Sequence, residues 1–105
     1  MFARLSNKVM FQKPVEIRQP NGSIEVQFNN LKYKFIAIQG IAFSDVKVLP
    51  KVENNIITHE ILMRQDPEIK EGMRVLYFNK TFEIKHILGQ AKQKYMNVYV
   101  EEIKN

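Results

Sequence analysis

Cysteine and tryptophan are both absent from this 105-residue chain, which also contains only four glycines and four prolines. Without cysteine, disulfides, thiolate nucleophiles and cysteine-ligated metals are excluded, which fits a reducing cytoplasm. The four glycines are isolated, so no glycine-rich phosphate loop is present. Two histidines are too few for a typical zinc site, and no ligand spacing repeats. We therefore expect no catalytic, cofactor-binding or metal-binding residues, and the sequence does not predict an enzyme.

Long apolar runs are also missing. Polar residues interrupt residues 1–15, so no signal peptide is predicted there. No apolar run approaches the roughly 18 residues that a membrane helix requires. We expect no association with a membrane.

Basic residues are concentrated in the first half of the chain. Residues 1–52 contain eight Lys/Arg against three Asp/Glu, whereas residues 53–105 contain eight of each. This asymmetry suggests an anionic neighbour, although lysines that only solubilise strand faces would give the same pattern. Twelve of the sixteen basic residues are lysine, and arginine is the better reader of bases. Sequence-specific recognition of DNA is therefore disfavoured.

Apolar and polar residues alternate along most of the chain with the period of half-buried β-strands. A dense turn signal at residues 19–23 predicts a hairpin over residues 8–28, and Asn79-Lys80 predicts a second one. About seven strands are expected, at 8–18, 24–28, 32–39, 55–64, 73–78, 81–88 and 95–103. The sequence thus predicts an all-β fold, a small antiparallel β-barrel or sandwich, in a single domain over residues 1–105.

A long central loop, the excursion at about residues 40–54, interrupts this pattern. Ser44-Asp45 could cap a short helix that Pro50 would end, but the segment is rich in β-branched residues. It is too apolar for a simple linker. Its apolar residues require burial in some contact: Ile41, Phe43, Val46, Val48 and Leu49.

Six aromatic residues lie on predicted strands among lysines: Tyr33, Phe35, Tyr77, Phe78, Tyr95 and Tyr99. Small barrels bind single-stranded nucleic acids on such stacking platforms. The same rings can instead fill the core and form cross-strand pairs. We favour the core assignment and retain a single-stranded nucleic-acid-binding barrel as the alternative.

The ordered set of segments resembles a known family. The stretch LSNKVMFQKPVEIRQPNGSIEVQF is followed by ITHEILMR, then EGMRVLYFNKTFEIKHIL, then MNVYVEE. Together these resemble the head-tail joining proteins of tailed bacteriophages, also called head-closure or stopper proteins. The most specific parts are the Thr58-His59 strand that ends at Arg64, the Gly72–Val75 approach to the hairpin, and the returning strand at Phe82–Ile84. The chain departs from the family in lacking a tryptophan near residues 32–34.

The resemblance implies a structural protein of the virion and the head-tail connector, present in the host cytoplasm during assembly. It implies a homo-oligomeric ring that contacts the phage portal or adaptor protein and the tail or a tail-completion protein. Such a ring closes the DNA-filled head, and non-specific contact with packaged DNA is expected. In this family a loop reaches toward the channel, and here that loop would be the excursion. Lys47 and Lys51 would then face DNA, while four residues would contact neighbouring subunits: Phe43, Val46, Val48 and Leu49.

Two further alternatives remain at this stage. A phage tail-completion protein of similar size would share the barrel fold, and the sequence separates the two roles poorly. A small hydrolase or metal enzyme is a distant third possibility.

Overall fold

The computed structural model describes residues 5–41, 57–89 and 94–104. These residues form six β-strands: β1 (Asn7–Arg18), β2 (Ile24–Gly40), β3 (His59–Arg64), β4 (Arg74–Tyr77), β5 (Lys80–Leu88) and β6 (Tyr95–Ile103). None of these ranges contains a helix that could cross a lipid bilayer.

The six strands close into an antiparallel barrel in the order β1-β2-β3-β6-β5-β4. Two seams of the barrel are short. β2 pairs with β3 only from Ala37 to Gly40, and β1 pairs with β4 only from Met10 to Gln12, within the described residues. The predicted all-β barrel is confirmed.

The barrel interior is filled by every second residue of each strand, as the two-residue period of a pleated strand requires. Phe82 and Ile84 of β5 alternate inward in this way with their exposed or half-buried neighbours. Thirteen buried apolar side chains form one cluster: Val9, Phe11, Ile36, Ile61, Met63, Ile69, Met73, Val75, Phe82, Ile84, Met96, Val98 and Val100. The barrel therefore has a complete core of its own.

Six strands occur rather than about seven because the strands predicted at 24–28 and 32–39 are one continuous strand, β2. Asn29-Asn30 does not break it. Phe11 pairs with Lys32 while Gln12 pairs with Asn30, so Leu31 is an extra residue in a β-bulge. The bulge moves the alternation by one residue. Lys32 and Lys34 therefore share the inward face with Ile36.

The β1–β2 hairpin continues well beyond the barrel wall. Residues 13–18 and 24–29 pair only with each other among the described residues, and we call this two-stranded ribbon the arm. Its turn is the one predicted at residues 19–23. The amide of Gly22 donates to the carbonyl of Gln19 (2.9 Å), and Gly22 has a φ of 90°, where glycine is favoured.

The β4–β5 turn lies one residue before the predicted position. Its central residues are Phe78 and Asn79, because Tyr77 pairs with Lys80. This register places Arg74 opposite Glu83. A turn at Asn79-Lys80 would have placed Arg74 opposite Lys85. Opposite charges across a strand pair are favourable and like charges are not, so the observed register is the better one.

The excursion leaves the barrel and returns to it at adjacent points. The amide of Ile41 donates to the carbonyl of Thr58 (3.0 Å), and the amide of Thr58 donates to the carbonyl of Val100 (2.9 Å). Gly40, predicted as the first excursion residue, is the last residue of β2. Residues 42–56 lie outside the described residues, and so does the short helix considered near Ser44.

Candidate assembly surfaces

The arm exposes aliphatic side chains that its own barrel does not cover. Ile24 is 54% exposed and Val26 is 52% exposed, although their alternation predicted a half-buried strand. The prediction was wrong because burial requires a packed layer, and at this point the ribbon has none. The neighbours across the ribbon, Arg18 and Glu16, are charged. That pairing is the signal that could have indicated exposure.

The base of the arm is fixed to the barrel by two sets of contacts. The guanidinium of Arg74 lies 3.9 Å from the ring centroid of Phe28, a cation–π contact. The ammonium groups of Lys32 and Lys34 bind Oδ2 of Asp66 at 3.0 and 2.9 Å. Lys32 also contacts the exposed Glu68. We call Lys32, Lys34, Asp66 and Glu68 the arm-base cluster.

Asp66 is the buried acceptor of the arm-base cluster. Burial alone would raise the pKa of its carboxyl group. Hydrogen bonds from Lys34 and Lys32, together with one from the backbone amide of Glu68, outweigh that effect and lower the pKa to about 2. Asp66 is therefore a carboxylate throughout the neutral and mildly acidic range, and it joins the part of β2 just beyond the arm to the loop after β3.

The folded protein should lose stability in a defined acid window. Because the pKa of Asp66 is lower in the folded chain than its ordinary value of 3.8, its contribution is complete above about pH 4 and is lost as the pH falls toward 2. We expect the free energy of unfolding to drop by about 2 kcal/mol from this group alone. Urea denaturation at successive pH values measures it. Asp66→Asn should lack this component, and an identical acid profile in that variant would contradict the assignment.

A second surface lies where β2 and β3 separate. The pairing of β2 with β3 ends at Ala37 and Leu62. Beyond that pair, beside residues 33–35 of β2 and Arg64 of β3, there is an open groove of about 630 Å³. Tyr33 and Phe35 stand on its wall and are 61% and 57% exposed. We call this feature the aromatic groove, and its lining is Leu5, Tyr33, Lys34, Phe35, Arg64 and Tyr95.

The rim of the aromatic groove is cationic. The ammonium of Lys8 lies 4.5 Å from the centroid of the Tyr33 ring, and Arg64 and Lys94 lie 5.7 and 5.9 Å from that of Tyr95. In the described part of the chain, none of these three cations has a carboxylate within ion-pair distance. The groove therefore combines aromatic area with uncompensated positive charge.

The aromatic residues divide into two groups, contrary to the expectation that all of them fill the core. Tyr99 is buried and Tyr77 is half-buried, so the expectation is correct for Tyr99. Tyr33, Phe35, Tyr95 and Phe78 are exposed. The Leu31 bulge contributes to the exposure of two of these rings, because it places Tyr33 and Phe35 on the outer face of β2.

Phe78 forms a third surface feature at the β4–β5 turn. It is 88% exposed and has a φ of 56°, the only positive φ of a non-glycine residue in the described ranges. Asn79 has no positive φ, so the turn has the type II′ pattern, whose first central position normally holds glycine. A phenylalanine here is both strained and solvent-exposed. Nothing in the fold of the barrel requires it.

The roots of the excursion pack on their own barrel. Ile57 and Tyr99 form a small buried cluster, and Ile41 packs against it. Ile41, one of the excursion residues expected to require burial, therefore contacts its own subunit. The other site residues predicted from the resemblance lie outside the described residues: Phe43, Val46, Lys47, Val48, Leu49 and Lys51.

Both histidine rings are in contact with neighbouring side chains of the barrel. Nδ1 of His59 is 2.9 Å from Oγ1 of Thr58, and its ring meets the Phe82 ring edge-on at 4.9 Å. Burial lowers the pKa of His59, so its ring is neutral at pH 7. The His86 ring stacks on Tyr99. Across the described ranges, no three potential metal ligands come together.

A family model described as phage head completion protein matches residues 1–103. The chain belongs to the phage head completion protein family. No curated protein sequence matches it. Among solved structures, it is similar to the solution structure of protein SF1141 from Shigella flexneri 2a, with a TM-score of 0.76 and 17% sequence identity. That match covers 94% of this chain and 93% of the other, and at this identity it shows the shared fold alone.

Membership of this family indicates a structural role in completing the phage head, and hence contact with other virion proteins and a place in the virion. The resemblance inferred from the order of the sequence segments is confirmed. The arm was not predicted as a site. The aromatic residues of the groove and Phe78 were considered only for the alternative, a single-stranded nucleic-acid-binding barrel.

Proposed function

We propose that the chain forms a homo-oligomeric ring between the portal, or an adaptor bound to it, and the tail. The ring closes the DNA-filled head and provides the surface on which the tail docks. The observation that carries this proposal is the arm, which projects exposed Ile24 and Val26 from a barrel whose core is already complete. An apolar surface that folding does not need is a surface for assembly.

The asymmetry of these surfaces supports the proposal of a ring. The arm, the aromatic groove and the Phe78 turn are different in shape, and each occurs once per chain. Contacts between unlike surfaces of identical subunits repeat around an axis, and they produce a ring when the rotation closes. Family membership supports the head-completion role, and this physical argument supports its form as a ring.

The excursion supplies the channel-facing part of the proposed ring. Its roots at Ile41 and Thr58 are adjacent at one end of the barrel, the end at which the Phe78 turn also lies. In the proposed assembly Lys47 and Lys51 approach the DNA backbone without reading bases. Phe43, Val46, Val48 and Leu49 contact the neighbouring subunit. The ring assembles in the host cytoplasm.

Charged substitutions on the arm should prevent assembly while the barrel folds normally. We expect Ile24→Glu with Val26→Glu to change the thermal stability little, because both side chains are about half exposed. The new carboxylates would face Arg18 and Glu16, one favourable and one unfavourable pair. Burying these charges in an interface would be costly, so infectious particles should fall by about two orders of magnitude. A complementation assay in a phage that lacks the gene measures the titre.

The matched control uses polar positions on the same arm, Gln27→Glu and Ser23→Glu, which should leave the titre close to that of the wild type. Electron microscopy of the defective lysates separates the two structural roles. Heads that lose their DNA indicate head closure, whereas filled heads beside incomplete tails indicate tail completion. A normal titre from the charged arm variant would contradict the proposal.

A single-stranded nucleic-acid-binding barrel is the second candidate, and the aromatic groove favours it. Exposed Tyr33, Phe35 and Tyr95 beside cations match the chemistry of a base-stacking platform. Tyr99, first considered for this role, is buried and cannot stack on a base. Oligo-dT titration at increasing salt tests this candidate, because phosphate contacts make affinity fall steeply with salt. Absence of binding at micromolar protein in roughly 100 mM salt would remove it.

A further inference from the structure

We propose that the outer edge of β1 in the arm pairs with the same edge of a second copy of this chain, antiparallel and about a two-fold axis at Ile17. The stretch involved is residues 15–19, which we call the pairing edge. The contact joins β1 to β1, so the two arms become a single sheet in the strand order β2-β1-β1-β2. The inference concerns the free subunit and does not depend on the proposed ring.

The backbone groups that this pairing needs point outward from the arm. The amide of Gln19 donates to the carbonyl of Ser23 (2.8 Å), so these two residues face each other as a hydrogen-bonded pair. Such pairs alternate along an antiparallel ladder, which makes positions 17 and 15 inward as well. The amides and carbonyls of Glu16 and Arg18 therefore point away from β2. Pro14 lies at an outward position too, where its missing amide hydrogen costs the arm nothing.

The pairing edge is unoccupied in the described structure. β1 pairs with β4 only as far as Gln12, so the outward groups of Glu16 and Arg18 meet no further strand within the described residues. The side chains of both residues are exposed. Neither takes part in an ion pair in the described part of the chain, so pairing with a second copy breaks no existing one.

Charge selects one register for the pairing. Outward residues must face outward residues, so the two-fold axis can lie at Glu16, Ile17 or Arg18. An axis at Glu16 places two glutamates opposite each other, and an axis at Arg18 does the same with two arginines. An axis at Ile17 places each Glu16 opposite Arg18 of the other copy. Opposite charges across a strand pair are favourable and like charges are not, so the edge is complementary to itself in this register.

Prolines exclude the same two registers. With the axis at Ile17, Pro14 of each copy lies opposite Pro20 of the other, beyond the ends of the pairing edge. With the axis moved to Glu16 or Arg18, a proline falls opposite Arg18 or Glu16 and leaves a carbonyl of the seam without its donor. Side-chain charge and backbone donors thus point to one register.

Ile17 occupies the centre of the proposed seam. It is 36% exposed in the free subunit. On the axis it faces Ile17 of the second copy at a non-hydrogen-bonded position, where Cα atoms are about 4.5 Å apart and side chains are closest. An aliphatic pair at the centre with a Glu16–Arg18 pair on each side is the arrangement that two-fold contacts between identical surfaces require.

The barrel leaves room for the second arm. In this register the turn of the second copy lies beside Lys13 and Pro14, at the base of the first arm. An open recess of about 390 Å³ lies there, between these residues and the loop after β3 that contains Glu68 and Lys70. The two barrels lie at opposite ends of the joined arms because the strands are antiparallel.

The contact is self-limiting and weak. A two-fold contact is complete with two copies, so it describes the free subunit and is not the repeating contact of a ring. A seam of this length spans only about 17 Å, and stable interfaces bury at least about 1,200 Å² in total. We therefore expect a dimer that forms in concentrated protein and dissociates on dilution.

Charge reversal tests the register. Arg18→Glu places glutamate opposite Glu16 at both ends of the seam, and Glu16→Arg places arginine opposite Arg18. Each variant alone should associate at least about tenfold more weakly than the wild type in sedimentation experiments. Mixed in equal amounts, the two variants restore opposite charges at both positions and should associate as the wild type does. Lys13→Glu, an equal change of charge on the same strand but outside the pairing edge, should leave association unchanged.

A single cysteine tests the axis, because the chain has no cysteine of its own. Ile17→Cys places two thiols opposite each other at a Cα separation that a disulfide accepts, and it keeps Glu16 and Arg18 in place. We expect mild oxidation of concentrated protein to give a covalent dimer. In the control Val15→Cys, on the same strand and face, the two thiols lie about 13 Å apart along the seam and should remain unlinked.

The outcomes separate this inference from the ring. The pairing is wrong if the wild type stays monomeric at every concentration, if the mixed variants do not recover association, or if Ile17→Cys forms no more dimer than Val15→Cys. Single charge variants that associate as the wild type does would place the contact on another surface. Thermal unfolding verifies that each variant keeps its barrel. Failure of the wild type to assemble on a portal would overturn the ring and leave these results unchanged.

Discussion

A protein in which residues 42–56 are replaced by a turn of about four Gly and Asn residues is expected to fold normally and to fail completely in head closure. The replacement is possible because Ile41 and Thr58 are already joined by a backbone hydrogen bond. Thermal unfolding should change little, since shortening a loop of this length alters its closure entropy by only about 1 kcal/mol. Phage titre in complementation should fall to that of the gene deletion.

The matched control keeps the length of the excursion and changes only its chemistry. Phe43, Val46, Val48 and Leu49 are replaced together by serine in one variant, and Lys47 and Lys51 by glutamine in another. If the apolar residues contact neighbouring subunits, the serine variant should behave like the replacement. The glutamine variant should assemble but retain DNA less well. A barrel that unfolds when residues 42–56 are replaced would show that the segment belongs to its own core.

The second large effect is expected for Asp66→Asn, which should lower the free energy of unfolding by about 3 kcal/mol at pH 7. The substitution leaves two ammonium groups, those of Lys32 and Lys34, without their buried carboxylate. It also weakens the acceptor that binds the amide of Glu68 at 3.0 Å. Because the cluster joins β2 at Lys32 and Lys34 to the loop after β3, hydrogen exchange should increase first in that loop and in this part of β2.

Glu68→Gln is the control for this prediction. Glu68 contacts Lys32 but is largely exposed, and exposed ion pairs contribute between zero and about 1 kcal/mol. Urea denaturation of the two variants at neutral pH compares a buried partner with an exposed one in the same cluster. Equal losses of stability in the two variants would contradict the assignment of Asp66 as the essential acceptor.

The strands were predictable because their alternation matches a local requirement, one buried face per strand. Val9 and Phe11 of β1, and Phe82 and Ile84 of β5, follow the two-residue period and are buried. The turn at residues 19–23 was equally clear, because glycine and asparagine favour it for backbone reasons. Barrel closure follows from having several such strands with short connections. The family resemblance rested on the same ordered segments.

The arm could not be predicted because alternation does not reveal whether a covering layer exists. Ile24 and Val26 alternate in the same way as core residues, yet both are more than half exposed. The bulge at Leu31 was hidden for a related reason: an inserted residue changes which face points inward without changing composition. Phe78 was misplaced because Asn79-Lys80 matches the usual turn composition. The observed register instead pairs Arg74 with Glu83 and the buried Val75 with the buried Phe82.

Within the described residues, neither edge of the arm pairs with a further strand, and this has a consequence for how subunits behave before assembly. A bare ribbon with uncovered backbone groups is a template on which other chains can stack. Lys13, Glu16, Arg18 and Glu25 place charges of both signs along it, and such residues act as gatekeepers against indiscriminate stacking. We therefore expect newly made subunits to accumulate without polymerising. For the proposed ring, the timing of assembly would then depend on the arrival of a packaged capsid rather than on the amount of protein made.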